Sequence, residues 1–227
     1  MDCCIHDTKT RRYLPPKLSS AKEDYENEYF HYDQSTELIS MKLLETNPYT
    51  FHLKQVYPTQ IEEYQLTEDM LNVLRTYTNS SSGNDCYIKT NLNLLTNNDI
   101  DWTYTNKLYS IIKGLCQNDI RHVYYRGLHL SDAEIRYYMA KINDYYYTNS
   151  FYSFTIDRLL TYSGNAIIIL KITPDNRLNI ANIWKWSHMP EEKEAILSIG
   201  SKLKVLSVHY FGYKWEIEVE LVAEDAN

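Results

Sequence analysis

The chain has 227 residues, 44% of them hydrophobic, which is enough for one domain with a sizeable core and an appendage. Its formal net charge of −7 argues against nucleic acid as a partner unless basic residues are segregated on one face. Mean hydropathy is −0.50 and the longest apolar run covers residues 166–170, far short of the ~20 residues a membrane-spanning helix needs.

The first seven residues carry neither a basic nor an apolar stretch, so no signal peptide is expected. Asp2 stands where N-myristoylation would require glycine. Cys3, Cys4, Cys86 and Cys116 fit neither a metal-ligand spacing nor a disulfide framework. They are expected to be reduced thiols of a cytoplasmic, monomeric protein that holds no metal. Residues 1–36 read as an irregular arm: Pro15 and Pro16 break any helix, and Lys9, Arg11, Arg12 and Lys17 form a short basic run read as a solvated tail. A short helix is possible over residues 37–44. Residues 1–65 as a whole are assigned to an amino-terminal extension.

Sharper signals begin at residue 66. Thr67 is placed to cap a helix whose inner face is Met70, Val73, Leu74 and Tyr77, at i, i+3, i+4 and i+7. Residues 80–83 (Ser-Ser-Ser-Gly) read as a loop, and residues 87–95 as a second helix. A third helix has Leu108, Ile111, Ile112 and Leu115 on one face. Residues 123–126 read as a strand ended by Gly127. Ser131 and Glu134 form a capping box that opens a helix with Ile135, Tyr138, Met139 and Ile142 inward. Residues 151–156 are β-prone. Residues 166–170 are wholly apolar and predict a central strand covered on both faces. Residues 195–198, 202–208 and 213–222 complete the strands, with a hairpin loop over 209–212. The last strand alternates Trp215, Ile217, Val219 and Leu221 against Lys214, Glu216, Glu218 and Glu220. Helices first and mostly strands later predict an α+β fold, with a helical part over 66–120 and a β-rich core over 121–222. The 22 tyrosines assign no site.

Three segments carry chemistry: Val123-Tyr-Tyr-Arg126-Gly127-Leu128, Phe151-Tyr-Ser153-Phe154-Thr155, and Glu191-Glu192-Lys193-Glu194-Ala-Ile-Leu197. Each is commonplace alone. Their order and spacing, 27 positions from Arg126 to Ser153 and 41 from Ser153 to Glu194, resemble the R-S-E class of mono-ADP-ribosyltransferases. The resemblance covers about residues 66–222, including Tyr77-Thr78 and the Gly200-Ser-Lys-Leu-Lys-Val205 stretch. It departs at Phe154, where the family has a polar residue. It also departs in a shortened segment after Thr155.

The resemblance implies two roughly perpendicular mixed or antiparallel sheets forming an NAD+ cleft, preceded by a helical region. It implies NAD+ as co-substrate and a protein with an acceptor arginine as partner. Arg126 would hold the phosphate and ribose region, because a guanidinium offers a planar fork of donors. Gly127, lacking Cβ, would let backbone approach the nicotinamide amide. Glu194 would stabilise the oxocarbenium-like charge as the nicotinamide–ribose bond breaks, oriented by Ser153. Thr155 and Tyr162 would complete the NAD+ site, Tyr162 stacking on nicotinamide. Glu192, two positions before Glu194 and on the same side if the backbone is extended, would orient the acceptor arginine. Trp184 and Trp186 lie in the expected target-recognition loop, although one of them would serve equally well as a core anchor. The same residues would serve NAD+ hydrolysis, and a catalytically inactive binding module would keep the same scaffold.

Overall fold

The computed structural model describes residues 47–79, 86–116, 122–173 and 179–223. The expected arm over 1–36, the helix over 37–44 and the loop over 80–83 lie outside them. Four α-helices occur among the described residues: α1 (Glu68–Thr78), α2 (Cys86–Thr96), α3 (Trp102–Leu115) and α4 (Asp132–Ala140). Eight strands accompany them: β1 (Val123–Leu128), β2 (Tyr145–Tyr147), β3 (Tyr152–Thr155), β4 (Ala166–Lys171), β5 (Ile180–Asn182), β6 (Glu194–Leu197), β7 (Lys202–Tyr210) and β8 (Trp215–Leu221).

Local chemistry sets these boundaries. The Thr67 side chain accepts from Met70 N at 3.3 Å, and Glu68 and Asp69 in the first turn complement the helix dipole. All four residues of the expected inner face are buried. Asp101 caps α3 by accepting from Tyr104 N at 3.0 Å. The Ser131–Glu134 capping box closes at both ends. Thr67→Ala removes a single cap bond, and it is expected to lower unfolding free energy by about 1 kcal/mol, read as an unchanged m-value with a lower midpoint in a urea titration. The α4 helix is shorter than its periodicity suggested. Ile142 lies beyond it, 41% exposed, and forms a lone parallel bridge to Val205.

The strands form one mixed ladder in the order β2-β7-β8-β4-β1-β3-β6-β5. The apolar β4 sits between β8, to which it is parallel, and β1, to which it is antiparallel. Its burial on both faces follows from that central place. The β1 strand does not stop before Gly127, as expected, but continues to Leu128, with Gly127 opposite Ile167. β7 likewise runs to Tyr210, so the hairpin loop begins at Phe211.

The ladder is narrowest between β1 and β3, which are joined by the single pair Tyr125↔Thr155. The expected two sheets are thus two halves, β2-β7-β8-β4-β1 and β3-β6-β5, meeting at that pair. Two cores accompany them. One gathers Tyr124, Tyr138, Phe154, Ile168, Leu170, Leu203 and Ile217. The other joins α1, α2 and α3 to β5 and β6 through Leu74, Tyr77, Leu94, Ile111, Phe151 and Ile196. Tyr49 and Ile61 are buried in this second core, so part of the segment assigned to the extension packs with the helices. No helix among the described residues is long and apolar enough to cross a membrane.

Candidate active site

The narrow seam between β1 and β3 is where the motif residues meet. Beyond the last β1–β3 pair, Arg126 Nη1 donates to the Ser153 carbonyl at 2.9 Å. Its guanidinium lies 5.0 Å from the centre of the Tyr152 ring, a cation–π contact. Ser153 Oγ donates to Glu194 Oε1 at 2.6 Å. Register explains the contact: β3 and β6 are antiparallel, Ser153 opposite Ile196 and Thr155 opposite Glu194, so Ser153 is the diagonal neighbour of Glu194.

Alternation along β3 also accounts for the departure at Phe154. Its side chain is 2% exposed and belongs to the core on the other face, away from Ser153. A polar residue there would be buried without serving the site.

Glu194 is 7% exposed. Burial pushes its carboxyl up to about 7, and Glu192 adds to the rise; the Ser153 hydroxyl and the Arg126 charge oppose it. Glu192 is itself raised, first by partial burial of its carboxyl and then by Glu191. For Arg126, burial disfavours the charge, yet Tyr87, Tyr152 and Tyr77 around it outweigh burial and hold the guanidinium above its ordinary value.

The two glutamates are not related by extended backbone, as expected from their spacing. Pro190–Glu192 is a single 3-10 turn, with proline in its first turn fixing φ, and Lys193 follows in the left-handed region at φ 50. The strand begins only at Glu194. Glu192 therefore sits on an exposed turn at the rim, while Glu194 is the first buried residue of β6.

No protein-family model matches the sequence, and no curated sequence matches it significantly. Solved structures do match. The ADP-ribosyltransferase HopU1 of Pseudomonas syringae pv. Tomato DC3000 superposes with a TM-score of 0.61 at 13% identity, over 86% of this chain and 100% of that one. The C3 exoenzyme of Clostridium limosum gives 0.55 at 11% identity, over 87% and 99%. The Vis toxin from Vibrio splendidus, also an ADP-ribosyltransferase, gives 0.53 at 14%, over 88% and 90%. The fold is that of the ADP-ribosyltransferases.

Within this ADP-ribosyltransferase fold the remaining predicted residues fall into place unevenly. Thr155 is buried, and its hydroxyl accepts from Asp157 N at 3.1 Å, holding the turn that leaves β3. Gly127 owes its identity to a close approach within the chain: a Cβ there would lie 2.1 Å from the Tyr162 carbonyl oxygen. Tyr162 thus abuts β1 through its backbone. Its ring, 46% exposed, meets His129 edge-on at 5.7 Å.

The two tryptophans divide their roles. Trp186 packs against the helical core. Its loop is further tied down by His188 N donating to Thr78 Oγ1 at 3.0 Å and by the Lys185–Glu63 ion pair at 2.6 Å. Trp184 is half-buried, with Lys185 Nζ 5.9 Å from its ring centre, and stands outside both cores.

The aromatic surround of Arg126 escapes the sequence. Tyr152 reads there only as the residue before Ser153, and Tyr87 as a position on an amphipathic helix. A tyrosine ring meeting an arginine 26 positions away on another strand leaves no short-range signature.

Proposed function

We propose that this chain is an NAD⁺-dependent protein mono-ADP-ribosyltransferase whose acceptor is arginine, with residues 66–227 as its catalytic domain. The observation that supports this most is the 2.6 Å bond from Ser153 to the buried Glu194 beside Arg126, in a fold shared with ADP-ribosyltransferases. Those groups suit a dinucleotide carrying a pyrophosphate and a cationic nicotinamide. The Arg126 guanidinium, fixed by the Ser153 carbonyl and the Tyr152 ring, offers its remaining donors to phosphate oxygens. Glu194, oriented by Ser153, faces the ribose and acts in its ionised form, which prevails above about pH 7. As the bond from ribose C1′ to the nicotinamide nitrogen breaks, nicotinamide leaves with the electron pair, and the carboxylate stabilises the positive charge left on the sugar.

Arginine as acceptor rests on Glu192. A guanidinium is protonated at any ordinary pH and is a poor nucleophile. A carboxylate at the rim orients it and takes its proton as the nitrogen bonds to C1′. The raised pKa of Glu192 favours that proton transfer. Trp184, outside both cores on the loop before the turn, is placed to contact the protein substrate.

Labelled NAD⁺ and agmatine test the reading. An ADP-ribosyl-agmatine adduct is the expected product, and free ADP-ribose alone would establish hydrolysis instead. Glu192→Gln is expected to reduce adduct formation by about tenfold or more and to leave NAD⁺ hydrolysis within about twofold of wild type. Equal losses in both would remove Glu192 from acceptor handling.

A further inference from the structure

The segment that leads from β2 into β3 is buried and fastened on several sides. Thr148 N donates to the Ser201 carbonyl at 2.9 Å, and the Thr148 hydroxyl donates to the Ser198 carbonyl at 2.8 Å. The Asn149 carbonyl accepts from Tyr49 Oη at 2.9 Å, and the same hydroxyl lies 2.7 Å from the Leu94 carbonyl of α2. Phe151 N donates to Asn91 Oδ1 at 3.1 Å, and Asn91 Nδ2 donates in turn to Tyr77 Oη of α1 at 3.1 Å. The entry to β3 is therefore tied at once to the loop after β6 and to the helical part.

Asn149, 1% exposed, carries this fixity to the site. Its Oδ1 accepts from Tyr152 Oη at 3.2 Å, three residues along the chain. Tyr152 is the ring against which the Arg126 guanidinium lies, 5.0 Å from its centre. Backbone pairing does little to hold that contact. β1 and β3 share one pair, Tyr125↔Thr155, while Tyr152 pairs with Leu197 of β6 on the other side. The ring is instead secured by packing against the core and by its hydroxyl at the far end. Arginine carries considerable rotamer entropy. The bond from Nη1 to the Ser153 carbonyl fixes a point on the guanidinium, and a ring face fixes its plane. We propose that Asn149 is a positioning residue for NAD⁺ binding: it holds the Tyr152 hydroxyl, and the ring so held sets the plane in which Arg126 meets phosphate. This rests on Arg126 being the residue that holds NAD⁺.

The test is titration calorimetry with NAD⁺ on Asn149→Ala, Tyr152→Phe and the pair, and on Tyr152→Phe combined with Arg126→Lys. Tyr152→Phe keeps the ring and removes the donor; Asn149→Ala removes the acceptor and leaves the ring chemically unchanged. Each is expected to weaken NAD⁺ binding, and to raise KM for NAD⁺, by about three- to tenfold, with kcat within about twofold of wild type. The pair is expected to lose no more than either single change, because both break one bond. In the Arg126→Lys background Tyr152→Phe is expected to cost less than about twofold. A Tyr152→Phe variant that binds NAD⁺ as wild type does would overturn the proposal, as would losses that multiply in the pair. A lowered melting temperature with unchanged NAD⁺ affinity would make the Asn149–Tyr152 bond merely structural. If Asn149→Ala does not fold, the cycle of Tyr152→Phe with Arg126→Lys decides, and independent effects there sink the proposal. The premise is read separately. If Arg126→Ala weakens binding while Tyr152→Phe does not, only the role of Asn149 falls. If Arg126→Ala leaves NAD⁺ affinity intact, the assignment of Arg126 falls and carries the proposal with it.

Discussion

Glu194→Gln is expected to slow NAD⁺ turnover by about a hundred- to a thousand-fold and to make the protein more stable above neutral pH. The first effect follows from charge: glutamine keeps the shape and can accept the Ser153 hydrogen bond, but it offers no negative charge to the developing sugar cation. The second follows from linkage. The folded-state pKa of Glu194, about 7, lies above its ordinary value of 4.5, with burial as the main cause. The folded protein therefore binds this proton more tightly than the unfolded chain does. The contribution to stability is fully present below about pH 4.5 and is lost as pH rises through 7, amounting to about 3 kcal/mol by order of magnitude. Glutamine does not ionise, so wild type and variant should have similar melting temperatures near pH 5. The variant should melt several degrees higher at pH 8.5, at roughly 2–4 °C per kcal/mol for a chain of this size. Melting curves at both pH values decide it: parallel curves would mean that Glu194 is not the buried acid described. The kcat/KM of wild type should rise with pH through about 7, because only the ionised carboxylate stabilises the cation.

Arg126→Lys is expected to weaken NAD⁺ binding by about ten- to a hundred-fold. Lysine retains the charge but not the plane. It cannot combine the bond to the Ser153 carbonyl, the stack on Tyr152 and a forked grip on phosphate. If charge alone held the dinucleotide, the variant would bind nearly as well as wild type. Calorimetric titration with NAD⁺ distinguishes these outcomes, and the same titration with Arg126→Ala measures what the charge contributes.

The helices are legible because their signals are local. The face of Met70, Val73, Leu74 and Tyr77, the Thr67 cap and the Ser131–Glu134 box need only neighbouring residues. The all-apolar β4 announces its central position in the same way. Two short strands do not. β2 is three tyrosines paired to β7, entered through Asn143 at φ 70, and β5 is three residues paired, among the described residues, to β6 alone. Both are strands because a longer partner recruits them, which no local pattern records.

In the site, Arg126, Ser153 and Glu194 are legible as motifs, and antiparallel register brings Ser153 against Glu194. The relation of Glu192 to Glu194 is not: an i, i+2 spacing suggests extended backbone, whereas Pro190 folds the preceding residues into a 3-10 turn. Tyr152 is illegible as a partner of Arg126 among 22 tyrosines, the two lying 26 positions apart.

The one backbone rung between β1 and β3 has a consequence for how the protein tolerates change. Arg126 belongs to one half of the ladder, and Ser153 and Glu194 to the other, so their spacing is set by the core that both halves share, where Tyr124 of β1, Phe154 of β3 and Leu197 of β6 are buried together. A methyl group deleted deep in that shared core is expected to change how the halves lean while the pairs within each half persist. NAD⁺ turnover is then expected to fall with such a distant lesion before the melting curve registers it.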